Sequence, residues 1–317
     1  MTNGRASYDY AGSDNWNIGG SSLLFWSMGV RPSKDNFWSS DGQKRQPGFS
    51  QSNPGTNGEL NAILATMSTG PVGPSDGAGQ HNATRLLRTC AADGTILQPE
   101  RPLTPIDATF RQVLSPAERQ LSSAAVWSTY SQSHDSSSPH SRGTPAQYHI
   151  LAVDVNATAG PVPVFAADMY PAPPSGVQFA VRDWHRQAEC EAGADAVATG
   201  CVHLVGGHDA DAAPLVALGG GISWPYGTHT MQLHTATVLQ PGKLTLLGEL
   251  DKFVPLSSKR FSDVRATQAR LTAVVTGMVG EVVHVTGLRP VRNGTAWLVV
   301  RTDVVLDVGG TGEVNLH

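Results

Sequence analysis

Two arginine–aspartate pairs near the start of the chain share one spacing: Arg5 with Asp9, and Arg31 with Asp35. On a helix such a pair lies on one face as a surface ion pair, worth roughly a few tenths of a kcal/mol. In a concave site the same residues have other uses. The rigid guanidinium fork holds a hydroxyl or a carboxylate, and an aspartate raised in pKa by burial or a neighbouring carboxylate carries a transferable proton. Asp76 stands in a glycine-rich stretch, Gly70 to Asn82 (GPVGPSDGAGQHN). Its two oxygens can accept hydrogen bonds from vicinal hydroxyls of a ligand, or they can close an Asx-turn that only shapes the loop. His81, in the same stretch, reads as structural. Trp16, Trp26 and Trp38 offer aromatic faces. Trp38 is the better platform, because Trp26 falls inside an apolar, helix-like run.

Other chemistries lack their residues. The histidine-bearing segment GHDADAAP (207–214) has no H-E-x-x-H or C-x-x-C companion, so no metal is expected. The GGTG near the C-terminus is followed by no G-K-[ST], and no G-x-S-x-G occurs, which removes a phosphate loop and a nucleophile elbow. No cofactor is expected. The net charge of −4 excludes a nucleic-acid binder working by bulk positive charge. No apolar run approaches the ~18 residues of a membrane span. Charged residues make up 15% of the 317, against roughly 25% in an average soluble domain, so the surface relies on Ser, Thr, Asn, Gln and Gly. Three sequons, at Asn82, Asn156 and Asn293, either arise by chance in a Ser/Thr-rich chain or, with a disulfide in place of two buried thiols at Cys190 and Cys201 around a loop of small residues, point toward the secretory pathway. Cys90 is the third cysteine. The N-terminus has no apolar signal region, which predicts that the natural start lies upstream.

The elements that must position these residues change character along the chain. Residues 21–29 (SSLLFWSMG) read as a helix, and 30–38 as a strand broken at Pro32. Leu60, Ile63, Leu64 and Met67 have helical spacing within 59–69. Residues 82–94 read as a second amphipathic helix, with Asn82 as N-cap and Gly94 as its stop. This alternation predicts βα units and a parallel sheet over 1–105. From 106 to 317, segments such as 148–155, 176–184, 244–250, 269–278, 280–288 and 295–308 are rich in Val, Leu and Thr and bounded by turn residues. They predict an antiparallel sandwich, its core packed by Trp127, Trp184, Trp224 and Trp297.

Four segments in order resemble the C-terminal half of raffinose synthases and related α-galactosidase-like glycoside hydrolases: Arg5–Tyr10 (RASYDY), Ser22–Trp38, Gly70–Asn82 and Asp93–Asp107 (DGTILQPERPLTPID); LLGELDKFVPLSSKRF (246–261) also sits well in such a protein. The resemblance implies the last three βα units of an incomplete (β/α)8 barrel in 1–105, followed by a C-terminal β-sandwich in 106–317. It also implies an oligosaccharide or glycoside as ligand. It casts Asp9 as the acid/base of a retaining mechanism, with Asp35 in the alternative register and Arg5, Asp76 and Trp38 as substrate contacts. Arg5/Asp9 is the preferred register, since the family expects two further βα units after its acid/base. Tyr8 departs from the family, which has an acidic residue there. A retaining glycosidase needs a second carboxylate ~5–5.5 Å from the acid/base, and in the family it stands on an earlier strand. Only four residues precede Arg5, so the chain alone is expected to be inactive on glycosides. The alternative is a non-catalytic carbohydrate-binding or interaction protein built on a β-sandwich.

Overall fold

The computed structural model describes residues 3–5, 18–40, 58–107, 109, 125–132, 145–153, 162–185, 190–206, 213–218, 231–291 and 296–317. Its strands are β1 (Asn3–Arg5), β2 (Arg31–Ser33), β3 (Thr104–Pro105), β4 (Ala125–Gln132), β5 (Pro145–Val153), β6 (Val162–Val164), β7 (Gln178–Asp183), β8 (His203–Gly206), β9 (Val216–Leu218), β10 (Met231–Val238), β11 (Thr245–Gly248), β12 (Phe261–Ala266), β13 (Leu271–Thr276), β14 (Val282–Pro290), β15 (Trp297–Val305) and β16 (Thr311–Leu316). Its helices are α1 (Ile18–Ser27), α2 (Gly58–Met67) and α3 (Ala83–Leu87), with a 3-10 turn at Ala166–Asp168.

The centre is a six-stranded antiparallel sheet in the order β3-β4-β5-β10-β7-β8. Its middle strand β5 is buried at nearly every position, as a strand covered on both faces must be. The register sets Trp127, Leu151 and Leu233 side by side on one face. That face packs on Leu60, Ile63, Leu64 and Met67 of α2, on Phe37 and on Phe253. The expected helical stripe is thus real, and it is the lid of a sheet. A polar clasp closes this layer: Glu59 Oε1 accepts from Trp184 Nε1 at 3.1 Å and from Arg88 Nη1 at 3.0 Å. The other face carries Tyr148, Ile150, Phe179 and Ala236 against Val164, Met169, Leu215 and Leu218, around the antiparallel pair β6–β9.

Residues 244–317 form a second, smaller sandwich of two three-stranded sheets, β11-β14-β15 and β12-β13-β16. Between them lie Leu246, Phe261, Val275, Val283, Val285, Val304 and Val314. The period-2 alternation of β13 (buried, half-buried, buried) is the pattern such a strand requires. Trp127, Trp184 and Trp297 are buried, as the sandwich expectation had them; Trp224 lies outside the described residues.

The expected barrel remnant is overturned. Strand accounts for 42% and helix for 13% of the structure, nearly all pairing is antiparallel, and only α1, α2 and α3 are helices among the described residues. Among the described residues of 1–105, parallel pairing is limited to three residue pairs of β1 with β2 and one bridge, Phe37 to Pro74. The physical reasons are local. Pro32 cannot donate to a ladder, and β2 ends at Ser33. The stretch after α2 is too rich in Gly and Pro to extend beyond that bridge. The helix expected over 82–94 stops at Leu87. Asn82 does cap it, its side chain accepting from Arg85 N at 3.0 Å, but residues 90–96 fold into a tight antiparallel turn (Cys90 bridged to Ile96) with Gly94 at φ 85°. The apolar run 21–29 is helical as far as Ser27, where α1 ends, yet Leu24 and Met28 are 64% and 67% exposed, so it is not a core helix.

Candidate functional site

The residues singled out from sequence divide into three groups. Asp9 lies outside the described residues. Arg5 ends β1, in register with Ser33, and Arg31 opens β2. Asp35, Trp38 and Asp76 are brought into one neighbourhood by the segment leaving β2. Asp35 Oδ1 accepts from Asn36 N at 2.9 Å. The buried Lys34 beside it stands over the Phe37 ring at 5.9 Å, and burial, opposed by the charge of Asp35, pulls its ammonium down to a pKa of about 8.

Asp76 is held on every side. Its side chain has 0% exposure. Oδ1 accepts from Ser39 N at 2.8 Å and Ser40 N at 3.1 Å; Oδ2 accepts from Ser39 Oγ at 2.7 Å and meets His81 Nδ1 at 3.2 Å. Ser39 Oγ in turn accepts from Asn82 N at 2.9 Å, and Arg85 donates to the Ser39 carbonyl. The glycine-rich turn is therefore bolted to the residues that follow half-buried Trp38, and a ligand hydroxyl reaching Asp76 would have to displace one of these donors. His81 is structural, as expected.

A second cluster escaped the sequence. Glu100 and Arg101 precede β3 and run beside β4, where Glu100 N donates to the Tyr130 carbonyl at 2.9 Å. The Arg101 guanidinium lies over the ring of Tyr170 at 4.2 Å, while Nη2 donates to Thr104 Oγ1 at 2.8 Å. Tyr170 is nevertheless 61% exposed. Glu100 Oε1 and Arg101 Nε are buried with no hydrogen-bond partner among the described residues. The four side chains feel one another. Burial raises the Tyr130 phenol, Arg101 lowers it, and Glu100 and Tyr170 raise it further; burial lowers Arg101, with both tyrosines opposing. Lys259, hydrogen-bonded to Gln98 Oε1 at 2.7 Å, closes the rim. Its ammonium is lowered by burial and by Arg31 and raised by Glu100. An exposed phenol ring stacked on a guanidinium, with a half-buried carboxylate nearby whose Oε1 is buried, forms a surface suited to a polyhydroxylated ligand with one apolar face.

No protein-family model and no curated protein matches the chain.

The only sequence signal for this second cluster was a tyrosine in a Pro-rich loop (MYPAPPSG), where nothing periodic asks for an aromatic residue. No group of three or more His, Cys, Asp or Glu able to hold a metal occurs among the described residues. No described helix is long and apolar enough to cross a membrane. Cys190 and Cys201 form a disulfide, compatible with an oxidising compartment. Asn82 of the first sequon is committed to capping α3, and Asn156 and Asn293 lie outside the described residues.

Proposed function

We propose that the chain binds carbohydrate without cleaving it, through Tyr170, Arg101, Tyr130 and Glu100, and that it works in the secretory pathway or outside the cell. The observation that carries this reading is Tyr170: a mostly exposed ring backed by the Arg101 guanidinium. The C–H face of a pyranose packs on such a ring, and its hydroxyls donate to the carboxylate and accept from the arginine fork. The resemblance to raffinose synthases and α-galactosidase-like enzymes supports α-galactosides as the ligand class. The disulfide and the sequons support the compartment.

Titration calorimetry of the full chain with raffinose and with galactose tests this. Binding is expected in the range of about 1 mM or tighter. Tyr170→Ala should weaken it on the order of 10-fold or more, and Glu100→Gln about 5-fold or more, through loss of the ring contact and of a charge-assisted bond. Absence of heat with every α-galactoside, or an unchanged affinity in Tyr170→Ala, overturns the reading. Release of galactose that disappears in Asp9→Asn or Asp35→Asn would favour the alternative, a piece of a retaining glycosidase.

A further inference from the structure

Tyr148 is a buried phenol that lies under the Tyr170 surface without belonging to it. It is 1% exposed in β5, in the core on the second face of the large sheet. The register fixes its place: it stands directly opposite Tyr130 of β4 on one side and Ala236 of β10 on the other. Its ring meets Phe179 edge-on, with 6.2 Å between centres. Burial, with the nearby Tyr130, raises the phenol above its ordinary pKa, so it remains a hydrogen-bond donor at any physiological pH.

A buried hydroxyl needs an acceptor, because leaving it unpaired costs the desolvation of the group. Tyr148 Oη donates to the Pro171 carbonyl at 2.8 Å. Pro171 follows Tyr170 in the mostly exposed stretch 170–176 (YPAPPSG), whose three prolines have no N–H to give. Among the described residues, the bond from Tyr148 is the hydrogen bond that ties this stretch to the sheet. Arg101, the other half of the stack, is fixed separately. Its carbonyl accepts from Thr129 Oγ1 at 2.5 Å, and its Nη2 donates to Thr104. The guanidinium is thus held by β3 and β4, and the ring over it by one phenol of β5.

We propose that Tyr148 is the positioning residue of the carbohydrate site: its hydroxyl holds the Pro171 carbonyl and so keeps the Tyr170 ring on the Arg101 guanidinium, the arrangement that receives the apolar face of a sugar. The inference rests on the carbohydrate reading of that site. Without the hydroxyl, 170–176 samples other positions, and the affinity falls with the fraction of molecules that still present the ring.

Tyr148→Phe tests this in the full chain, since it keeps the ring against Phe179 and removes only the hydroxyl. In an NMR titration with raffinose, which reads weak affinities, the variant should bind on the order of 5-fold more weakly than wild type. In a Tyr170→Ala background the same substitution should change the affinity less than about 2-fold, because the ring it positions is gone. Ile150→Val thins the same core at the next inward position of β5 and should leave the affinity unchanged, which separates positioning from a general loss of stability. A second readout needs no ligand. In protein labelled with 3-fluorotyrosine, the fluorine line that Tyr170→Phe removes should move toward that of the free amino acid in Tyr148→Phe. Equal losses in the two backgrounds, wild-type affinity in Tyr148→Phe, or an unmoved Tyr170 line overturns the proposal. If wild type binds no α-galactoside, the carbohydrate reading falls, and the fluorine line decides by itself whether Tyr148 holds Tyr170.

Discussion

His149 carries a consequence for pH that can be read from one side chain. It is fully buried in β5; Nε2 meets Ser131 Oγ at 2.8 Å, and Nδ1 has no partner among the described residues. Burial pushes its pKa down from the ordinary 6.5 to about 3. The unfolded chain takes up this proton near pH 6.5 and the folded chain only near pH 3. Stability is therefore full above about 6.5 and falls as the pH is lowered toward 3, by up to about 1.4 kcal/mol per pH unit. His234 acts in the same direction: burial lowers it, Asp183 opposes, and His185 and His203 lower it further. Urea unfolding of wild type and His149→Gln between pH 7 and 4.5 isolates the first residue. The difference between the two should shrink with acidity by on the order of 1 kcal/mol per pH unit. Parallel curves would show that His149 is not held neutral by the fold.

At the scale of the element, the turn leaving β11 decides how the small sandwich is joined to the rest. Gly248 has φ 90°, and a Cβ there would run into the Pro255 carbonyl, whose carbon would lie 2.6 Å away. That approach delivers Glu249 to Arg260. Arg260 Nε donates to Glu249 Oε2 at 2.9 Å, Nη2 to Glu281 Oε1 at 2.6 Å, and Nη1 to the Thr276 carbonyl at 2.9 Å. Glu281 also accepts from Ala92 N at 3.2 Å, so the network reaches the N-terminal half. Gly248→Ala combines a left-handed backbone with overpacking and should cost on the order of 2–5 kcal/mol. Gly242→Ala, at φ 68° with nothing near its Cβ, should cost only about 1 kcal/mol. Equal denaturation midpoints for the two variants would remove the close-approach argument. The same elements show what a one-dimensional reading can reach. The stripe of α2 and the alternation of β13 are local patterns, and both were legible. The partners of Arg260 stand 11 and 21 residues away, and those of Asp76 lie 36 and 37 residues back, at Ser40 and Ser39; no local pattern encodes such meetings. The βα alternation of 1–105 rests on short segments whose order resembles a barrel, but strand direction and length are set by tertiary pairing, which favours antiparallel sheets elsewhere in the chain. Tyr170 leaves only a weak trace, a tyrosine in a Pro-rich loop, because an exposed aromatic there has no period.

For the whole molecule, the disulfide loop is the joint between its two sheet systems. Cys190 and Cys201 close a segment that runs along β15, the edge of the sheet β11-β14-β15. Gly193 N donates to the Val299 carbonyl at 2.8 Å, Val299 N to Ala194 at 3.0 Å, and Ala196 N to Trp297 at 2.7 Å. Cys190, Ala196 and Cys201 pack with Leu247, Leu288, Trp297 and Val299, and β8 of the six-stranded sheet begins two residues after Cys201. The loop thus covers an edge that would otherwise be open to another strand, and it holds β8 against the small sandwich. A bridge spanning 11 residues of chain restricts the unfolded state by about 3 kcal/mol. Reduction, or the pair Cys190→Ala and Cys201→Ala, should lower the unfolding free energy by about that amount. The loss should also be uneven. Hydrogen exchange at Gly193, Ala196 and Val299 should accelerate far more than at Leu151 or Leu233, which sit in the centre of the large sheet and depend on β4, β5 and β10 for their bonds. If the amides of Gly193 and Val299 stay as protected after reduction as before, the loop is held by its packing alone, and the bond adds nothing to the joint.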